Sequence, residues 1–376
     1  MTTSRPVAFY APLKSPNHPL PSGDRTMARL LMKALDRAGY PPVLASELRT
    51  LDKAGDRELQ EKLRRQALEE ADRLIAHYRA LPEAMRPVLW FTYHVYYKAP
   101  DWIGPRVAEA LGIPYTIAEG SRAAKRAQGP WALGHEGAEA ALDRADAVFV
   151  MTAHDREALE MARPNHQALI DLPPFLDLRE WPASNARLSR TTEPRLLTVA
   201  MMREGDKLAS YRILAAALER LQYLPWTLDI VGDGEARGEI ARLFSPMAQR
   251  VRFHGQVENR IDLAAFYAAA DLFVWPAVNE AYGMVLLEAQ ALGCAVVAGA
   301  YGGVASVVRD GETGRLTPPG DRAAFAEALG ELLQDRERLH RLGANASRFV
   351  REERDLDQAA LRLRNALEPL TGRVQR

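Results

Sequence analysis

Short, wholly apolar runs set between amphipathic stretches give this chain its rhythm. "AALDRADAVFVMTAHDREALE" (140–160) reads as a helix, an Ala-Asp step, the strand "AVFV" (147–150), a loop and a second helix. "AFYAAADLFVWPAVNEAYGMVLLEA" (265–289) repeats that order around the strand "LFVW" (272–275). Runs that are apolar at every position, not at alternate ones, suit strands of a parallel sheet covered on both faces. Further strands are expected in "RPVAFYAP", "RPVLWFTY", "IPYTIAEG", "RLLTVAMM", "WTLDIVGDG" and "RVRFHGQV". Helices are expected in "RTMARLLMKALDRAGY", with Gly39 at its end, and in "YRILAAALERLQYL". Strands alternating with helices imply right-handed βαβ units.

The repeat of one pattern in two places predicts two similar α/β halves. The stretch "DLPPFLDLREWPASNARLSRTTEP" (171–194), rich in proline and polar residues, reads as the link between them. The expected division is an N-terminal domain over 1–180, a C-terminal domain over 181–355, and a last helix over 356–376 that packs back on the first domain. In such sheets a ligand binds beyond the carboxyl ends of the strands. The tail from Asp321 is helical and charged, and it reads as mostly solvated surface.

Composition narrows the function classes. With 376 residues, 47% apolar and 26% charged, the chain has the material for a two-domain globular protein. The 49 basic and 49 acidic residues cancel, so no global charge points to nucleic acid. A single cysteine, Cys294, forms no internal disulfide, and a cytoplasmic setting fits it. The N-terminus lacks the apolar core of a signal peptide. Residues 289–308 carry no charge over a length able to span a bilayer, but Gly293, Gly299, Gly302 and Gly303 break them into helix end, strand and loop, so a buried segment is expected.

The chemistry concentrates in "NEAYGMVLLEAQALGCAVVAG" (279–299). Glu280 stands in a loop after a strand. Gly283 opens a helix that ends at Gly293, and Glu288 lies in its second turn. The free N–H groups and positive dipole end of such a helix suit a diphosphate. Glu288 then suits the paired hydroxyls of a ribose, and Glu280 the hydroxyls of a group beyond the phosphates. Two surface glutamates on an ordinary helix are the plain alternative.

This stretch, continued by "ALGCAVVAGAYGGVASVVRDGETGRLTPPGD", resembles the donor-binding region of family-4 glycosyltransferases. "LDIVGDG", "VRFHGQV" and "FYAAADLFVWPA" stand in the same order as in that family, and the likeness is close over 195–335. It implies a GT-B fold, two Rossmann-like α/β domains facing each other across a cleft, and retaining transfer from a nucleotide sugar with no cofactor or metal. Glu280 would contact the donor sugar and Glu288 the ribose. The backbone of Tyr282, Gly283, Met284 and Val285 would face sugar and phosphates, and Val257 the base. Arg203 and Lys207, in "AMMREGDKL", would clamp the diphosphate. The pattern departs here, since Met201 takes the family's arginine position and Arg203 is displaced by two.

The first half resembles the family less closely. Gly23, in "PSGD", maps to the turn that approaches the donor phosphate, and Asp24 to an acceptor contact. Glu119 stands where the family has a histidine. It either hydrogen-bonds a sugar or acceptor, or is an ordinary strand-end residue. Arg122 with Lys125 and Arg126 forms a basic cluster that would draw an anionic acceptor or a membrane surface, or is merely a solvated loop. The aromatic-rich "TYHVYYKAPDW" (92–102), which holds His94, supplies either a sugar platform or core. Asp24, His94, Glu119 and Arg122 are thus the acceptor-side candidates. "GDGEARG" (232–238) has its glycines spaced one too far for a dinucleotide fingerprint, and "DLD" (355–357) reads as solvated. The expected partners are a nucleotide sugar and an unidentified acceptor. A non-catalytic relative and a sugar-nucleotide epimerase remain as alternative functions.

Overall fold

A computed structural model describes residues 5–20, 22–181 and 193–372. Residues 182–192 of the expected linker lie outside the described residues. The chain divides into two compact units, Met1–Pro173 with Leu356–Arg376, and Pro174–Asp355. The chain passes from one to the other at the Pro173-Pro174 pair, a few residues before the boundary expected at 180.

The first unit runs β1 (Val7–Tyr10), α1 (Gly23–Arg37), β2 (Pro42–Ser46), α2 (Arg57–Ala80), β3 (Leu89–Val95), α3 (Gly104–Leu111), β4 (Tyr115–Gly120), α4 (Ala132–Arg144), β5 (Ala147–Val150), α5 (Ala153–Met161) and β6 (Ala168–Asp171). Its sheet has the order β2-β1-β3-β4-β5-β6, and every pairing is parallel. The second unit runs β7 (Arg195–Val199), α6 (Asp206–Arg220), β8 (Thr227–Val231), α7 (Arg237–Leu243), β9 (Val251–Phe253), α8 (Arg260–Ala269), β10 (Leu272–Trp275), α9 (Met284–Ala291), β11 (Ala295–Gly299), β12 (Gly314–Thr317), α10 (Arg322–Gln334) and α11 (Arg336–Glu353). Its order is β12-β11-β10-β7-β8-β9, again all parallel.

Both faces are covered at the central strands, where β1, β5, β10 and β11 are apolar and buried at every position, while the edge strands β2 and β6 stay partly exposed. In the first unit Phe9, Phe91 and Phe149 stack across one face, with ring centroids 5.9 and 5.7 Å apart. Their neighbours Ala8, Tyr10, Trp90 and Val148 join the core cluster on the other face with Ala71, Val107 and Ala141 of α2, α3 and α4. Such alternation follows from the two-residue period of a strand. The uncharged run 289–308 is the end of α9, β11 and a short turn, and Cys294 is buried there, its thiol donating to the Tyr267 carbonyl at 2.9 Å. Among the described residues no helix is long and apolar enough to cross a membrane.

The charged tail packs more than its composition suggests. Leu339, Leu342, Ala346, Phe349 and Val350 line a buried stripe of α11. The last helix, α12 (Leu356–Gly372), lies on α1 and buries Leu356, Ala359, Ala360, Leu363 and Leu367. Arg37 pairs with Asp357 at 2.8 Å, Arg364 donates to the Ala38 carbonyl at 3.0 Å, and Tyr40 meets Thr371 at 3.2 Å. "DLD" is therefore structural and not simply solvated, since Asp355 accepts from the Leu178 N–H while Asp357 ties α12 to α1.

Candidate functional site

In the second unit the site is built at the carboxyl ends of β7 and β10. After Trp275 the chain turns sharply, and Ala277 and Asn279 take φ of 57° and 50°. A side chain pays a steric penalty in that region, so it persists only where surrounding contacts impose it. Here they do. The Val278 N–H donates to Ser210 Oγ at 3.0 Å, and Asn279 Nδ2 donates to Asp206 Oδ1 at 2.9 Å. On the other side the Gly303 N–H reaches the Ala281 carbonyl at 2.5 Å. Gly302 has to be glycine for this approach, because its φ is 49° and a Cβ would stand 2.5 Å from the Glu280 carbonyl oxygen.

The held loop delivers Glu280 to Lys207, from the first turn of α6. Lys207 Nζ donates to Glu280 Oε2 at 2.5 Å, and Trp275 Nε1 points at the same oxygen from 3.4 Å. The ammonium also lies 5.4 Å from the Trp275 ring centre. Gly283, at φ 70°, caps α9, and no side chain caps the helix start. The Leu286 N–H is taken by the Gly283 carbonyl at 2.9 Å, which leaves the N–H groups of Met284 and Val285 without an intrahelical acceptor. Glu288 is four residues further along α9 than Met284, and Tyr267 donates its hydroxyl to it at 2.8 Å. Burial pushes the Glu288 carboxyl above the usual carboxylate range. Tyr282 and Met284 are buried, Val285 and Val257 half-buried, with Val257 in the turn between β9 and α8. Arg203 is exposed in the loop before α6, and Met201 stands exposed beside it.

The glycines of "GDGEARG" serve loop packing. A Cβ on Gly232 would lie 1.9 Å from the Ala200 carbonyl oxygen, and one on Gly234 would lie 2.3 Å from that of Met202. The loops after β7 and β8 cross in contact there, joined by Ala200 N–H to Val231 and Met202 N–H to Asp233. This crossing sets the path of the chain into α6 and so the position of Lys207.

In the first unit three candidates from three elements meet. His94 Nδ1 donates to Asp24 Oδ1 at 3.2 Å and stands 3.6 Å from Glu119 Oε1. Asp24 comes from the start of α1, His94 from the end of β3 and Glu119 from the end of β4. His94 and Glu119 have φ of 64° and 61°, so all four non-glycine residues of positive φ among those described fall in the two candidate sites. Burial pushes Glu119 up. Burial also opposes the charge on His94, but the Glu119 charge and the Asp24 hydrogen bond outweigh it and raise His94 to about 9. The imidazolium's contribution to folding is thus complete below 6.5, its ordinary value, and is lost as pH rises through about 9. An NMR titration of the His94 ring is expected to show a midpoint near that value, falling toward 6.5 in Glu119→Gln. An unchanged midpoint in the variant would remove Glu119 as the cause.

Gly23 needs no special backbone, and a Cβ there would meet nothing within 4 Å. Arg122 is the acceptor-side candidate that the structure sends elsewhere. Its side chain is 6% exposed and pairs with Glu139 at 2.5 Å and Asp143 at 2.7 Å, holding the 121–126 loop to α4. Sequence reasoning missed Trp275, Tyr267 and Ser210, since the signal for each is a contact made only in three dimensions.

Two all-parallel α/β units define a fold of the GT-B type. The chain superposes on a sucrose-phosphate synthase from Thermosynechococcus elongatus with a TM-score of 0.73 at 22% identity, covering 98% of this chain and 100% of that one. It matches the Anabaena protein HepE, solved in complex with UDP, with a TM-score of 0.70 at 15% identity, over 97% of this chain and 100% of that one. Residues 193–335, within the second unit, match the family described as "Glycosyl transferases group 1". A D-inositol 3-phosphate glycosyltransferase of Nocardia farcinica is 48% identical over 84 residues, which are 22% of this chain and 19% of that protein. The chain spans less than two thirds of the length of the curated relatives it matches.

Proposed function

We propose that the chain is a retaining glycosyltransferase that moves a sugar from a nucleoside diphosphate sugar to an acceptor used in cell-envelope glycan, glycolipid or small-molecule glycoside synthesis. The observation that carries this reading is the meeting of Lys207, Glu280 and the uncapped start of α9 at one end of the second sheet. As the glycosidic bond to the diphosphate breaks, negative charge grows on the distal phosphate. An ammonium and a row of backbone N–H groups already in place stabilise that charge without reorganising. In the free protein Glu280 neutralises Lys207. A bound diphosphate replaces Glu280 as the partner of Lys207 and releases the carboxylate to the hydroxyls of the sugar.

Retention is read as a front-face substitution, in which the acceptor oxygen bonds to the anomeric carbon on the side the phosphate leaves. The departing phosphate oxygen takes the acceptor's proton. A uridine diphosphate sugar is the first donor to test, because the structural neighbour HepE holds UDP. Met201, where the resembled pattern has arginine, favours a second reading as a nucleotide-sugar binder without turnover.

The deciding assay is nucleoside diphosphate release from uridine, guanosine and adenosine diphosphate sugars, with and without a crude lipid and sugar extract. Slow release from one donor, accelerated by the extract and abolished in Glu280→Ala, is expected. Thermal stabilisation by a nucleotide without turnover would favour the second reading. Release indifferent to the extract would favour an epimerase or hydrolase. Neither release nor stabilisation by any nucleotide would remove the donor-site reading.

A further inference from the structure

The first unit holds a second cluster of cations, outside the Asp24–His94–Glu119 group. The rings of Tyr97 and Trp131 meet edge to face, with centroids 5.7 Å apart. Arg126 lays its guanidinium against both, 5.2 Å from the Tyr97 centre and 4.9 Å from that of Trp131. Lys98 places its ammonium against the same two rings, at 5.7 and 5.2 Å. The two cations thus share one aromatic pair. Like charges brought together repel, and here no carboxylate offsets them, because neither Lys98 nor Arg126 takes part in an ion pair among the described residues.

The acids nearby are committed to other partners. Asp52 accepts the N–H groups of Ala54, Gly55 and Asp56 and the side chain of Gln60. Glu139 and Asp143 hold Arg122. The Trp131 indole N–H is occupied by the Asp52 carbonyl at 3.2 Å, which fixes the ring. Arg126 Nε is buried without a hydrogen-bond partner, as are the Nε atoms of Arg25, Arg122 and Arg354, so the terminal nitrogens of Arg126 are the ones left to meet a ligand. Stacking on an aromatic face uses the plane of a guanidinium and leaves its N–H edge free for a planar or tetrahedral oxyanion.

We propose that Lys98 and Arg126, held on the Tyr97–Trp131 pair, form a binding site for a phosphate ester, separate from the diphosphate site at Lys207. Two cations of different geometry suit a dianionic phosphate monoester, the ammonium as a point charge and the guanidinium as a two-toothed donor. The ring faces suit the apolar side of a sugar or polyol that carries the phosphate. Under the transferase reading this group would belong to the acceptor, but the site stands on its own geometry. The ester can come from a free sugar phosphate or from a lipid headgroup.

Calorimetric titration of the full chain with glucose 6-phosphate, and with glucose as the uncharged control, tests the site directly. Sedimentation with vesicles containing about 30% phosphatidic acid, a lipid phosphate monoester, against pure phosphatidylcholine, tests the lipid source. The comparison protein is the double variant Lys98→Gln, Arg126→Gln, which keeps both rings, with its melting temperature checked against the wild type. Glucose 6-phosphate is expected to bind at least tenfold more tightly than glucose, and the double variant to lose that margin. Binding confined to phosphatidic acid vesicles and lost in the double variant would assign the same site to a lipid headgroup. Binding to neither probe, or binding that the double variant leaves unchanged, overturns the proposal. Thermal stabilisation by UDP is expected to be the same in both proteins, so a failure here is separable from a failure at Lys207.

Discussion

Lys207→Ala is expected to lower turnover a hundredfold or more while leaving the fold intact. The side chain is partly exposed at the first turn of α6, and its charge meets Glu280 at 2.5 Å and the Trp275 ring at 5.4 Å. A surface ion pair of this kind contributes little to stability, on the order of 0–1 kcal/mol. Under the proposed transfer its worth to the reaction is larger, because the charge on a leaving diphosphate is greater in the transition state than in the bound donor. Removal of one preorganised donor to developing charge costs about 2.7–4 kcal/mol, or roughly two to three powers of ten in rate. The loss should fall on kcat, with a smaller change in the KM for the donor, since the ground-state diphosphate keeps the N–H groups of α9. Steady-state nucleotide release, with the best donor from the panel, is the measurement. A variant within threefold of the wild type would place the phosphate clamp elsewhere, Arg203 being the next candidate.

Gly232→Ala is expected to destabilise the second unit by about 3 kcal/mol, summing a methyl forced into packed surroundings and an L residue in a backbone region it avoids. Gly232 has φ 146°, and the added Cβ would lie 1.9 Å from the Ala200 carbonyl oxygen and 2.9 Å from its carbon. Both are backbone atoms, so no side chain can swing aside. The loop cannot retreat without parting the Ala200 N–H from the Val231 carbonyl at 3.0 Å, the bond that extends the β7–β8 ladder. For a unit of this size the cost corresponds to a drop in Tm of roughly 6–12 °C. Gly238→Ala is the control, because a Cβ there meets nothing within 4 Å and the position lies in α7. Calorimetry of the full chain should show the first variant melting early and the second unchanged or slightly higher. Equal melting of Gly232→Ala and the wild type would mean that the two loops are not in contact in solution.

Much of the candidate site in the second unit could be read along the chain because its elements are local. Gly283, the apolar turn after it and Gly293 mark a short helix by spacing alone, and α9 runs from Met284 to Ala291 between them. The candidate site in the first unit was legible only as a set of candidate residues. Nothing in "TYHVYYKAPDW" separates His94, which turns toward Asp24 and Glu119, from Tyr93, which is buried. The basic triplet after "EGS" looks uniform, yet Arg122 is locked by two acids of α4 while Arg126 lies on two rings.

The sequence by itself determined nine of the strands, β1, β3–β5 and β7–β11, and the helices beside most of them, while β2, β6, β12 and the long α2 were not marked by it. The marked elements follow from apolar periodicity and from glycine and proline positions, which act over a few residues. Only the tertiary structure decided the partnerships. Lys207 and Glu280 are 73 residues apart, Asp24 and His94 are 70 apart, and Arg37 meets Asp357 across 320. Side-chain type and spacing carry no record of such pairs. They arise when the strands choose their neighbours and the crossing loops lock, and that choice is made by burial of the whole sheet and not by any one segment.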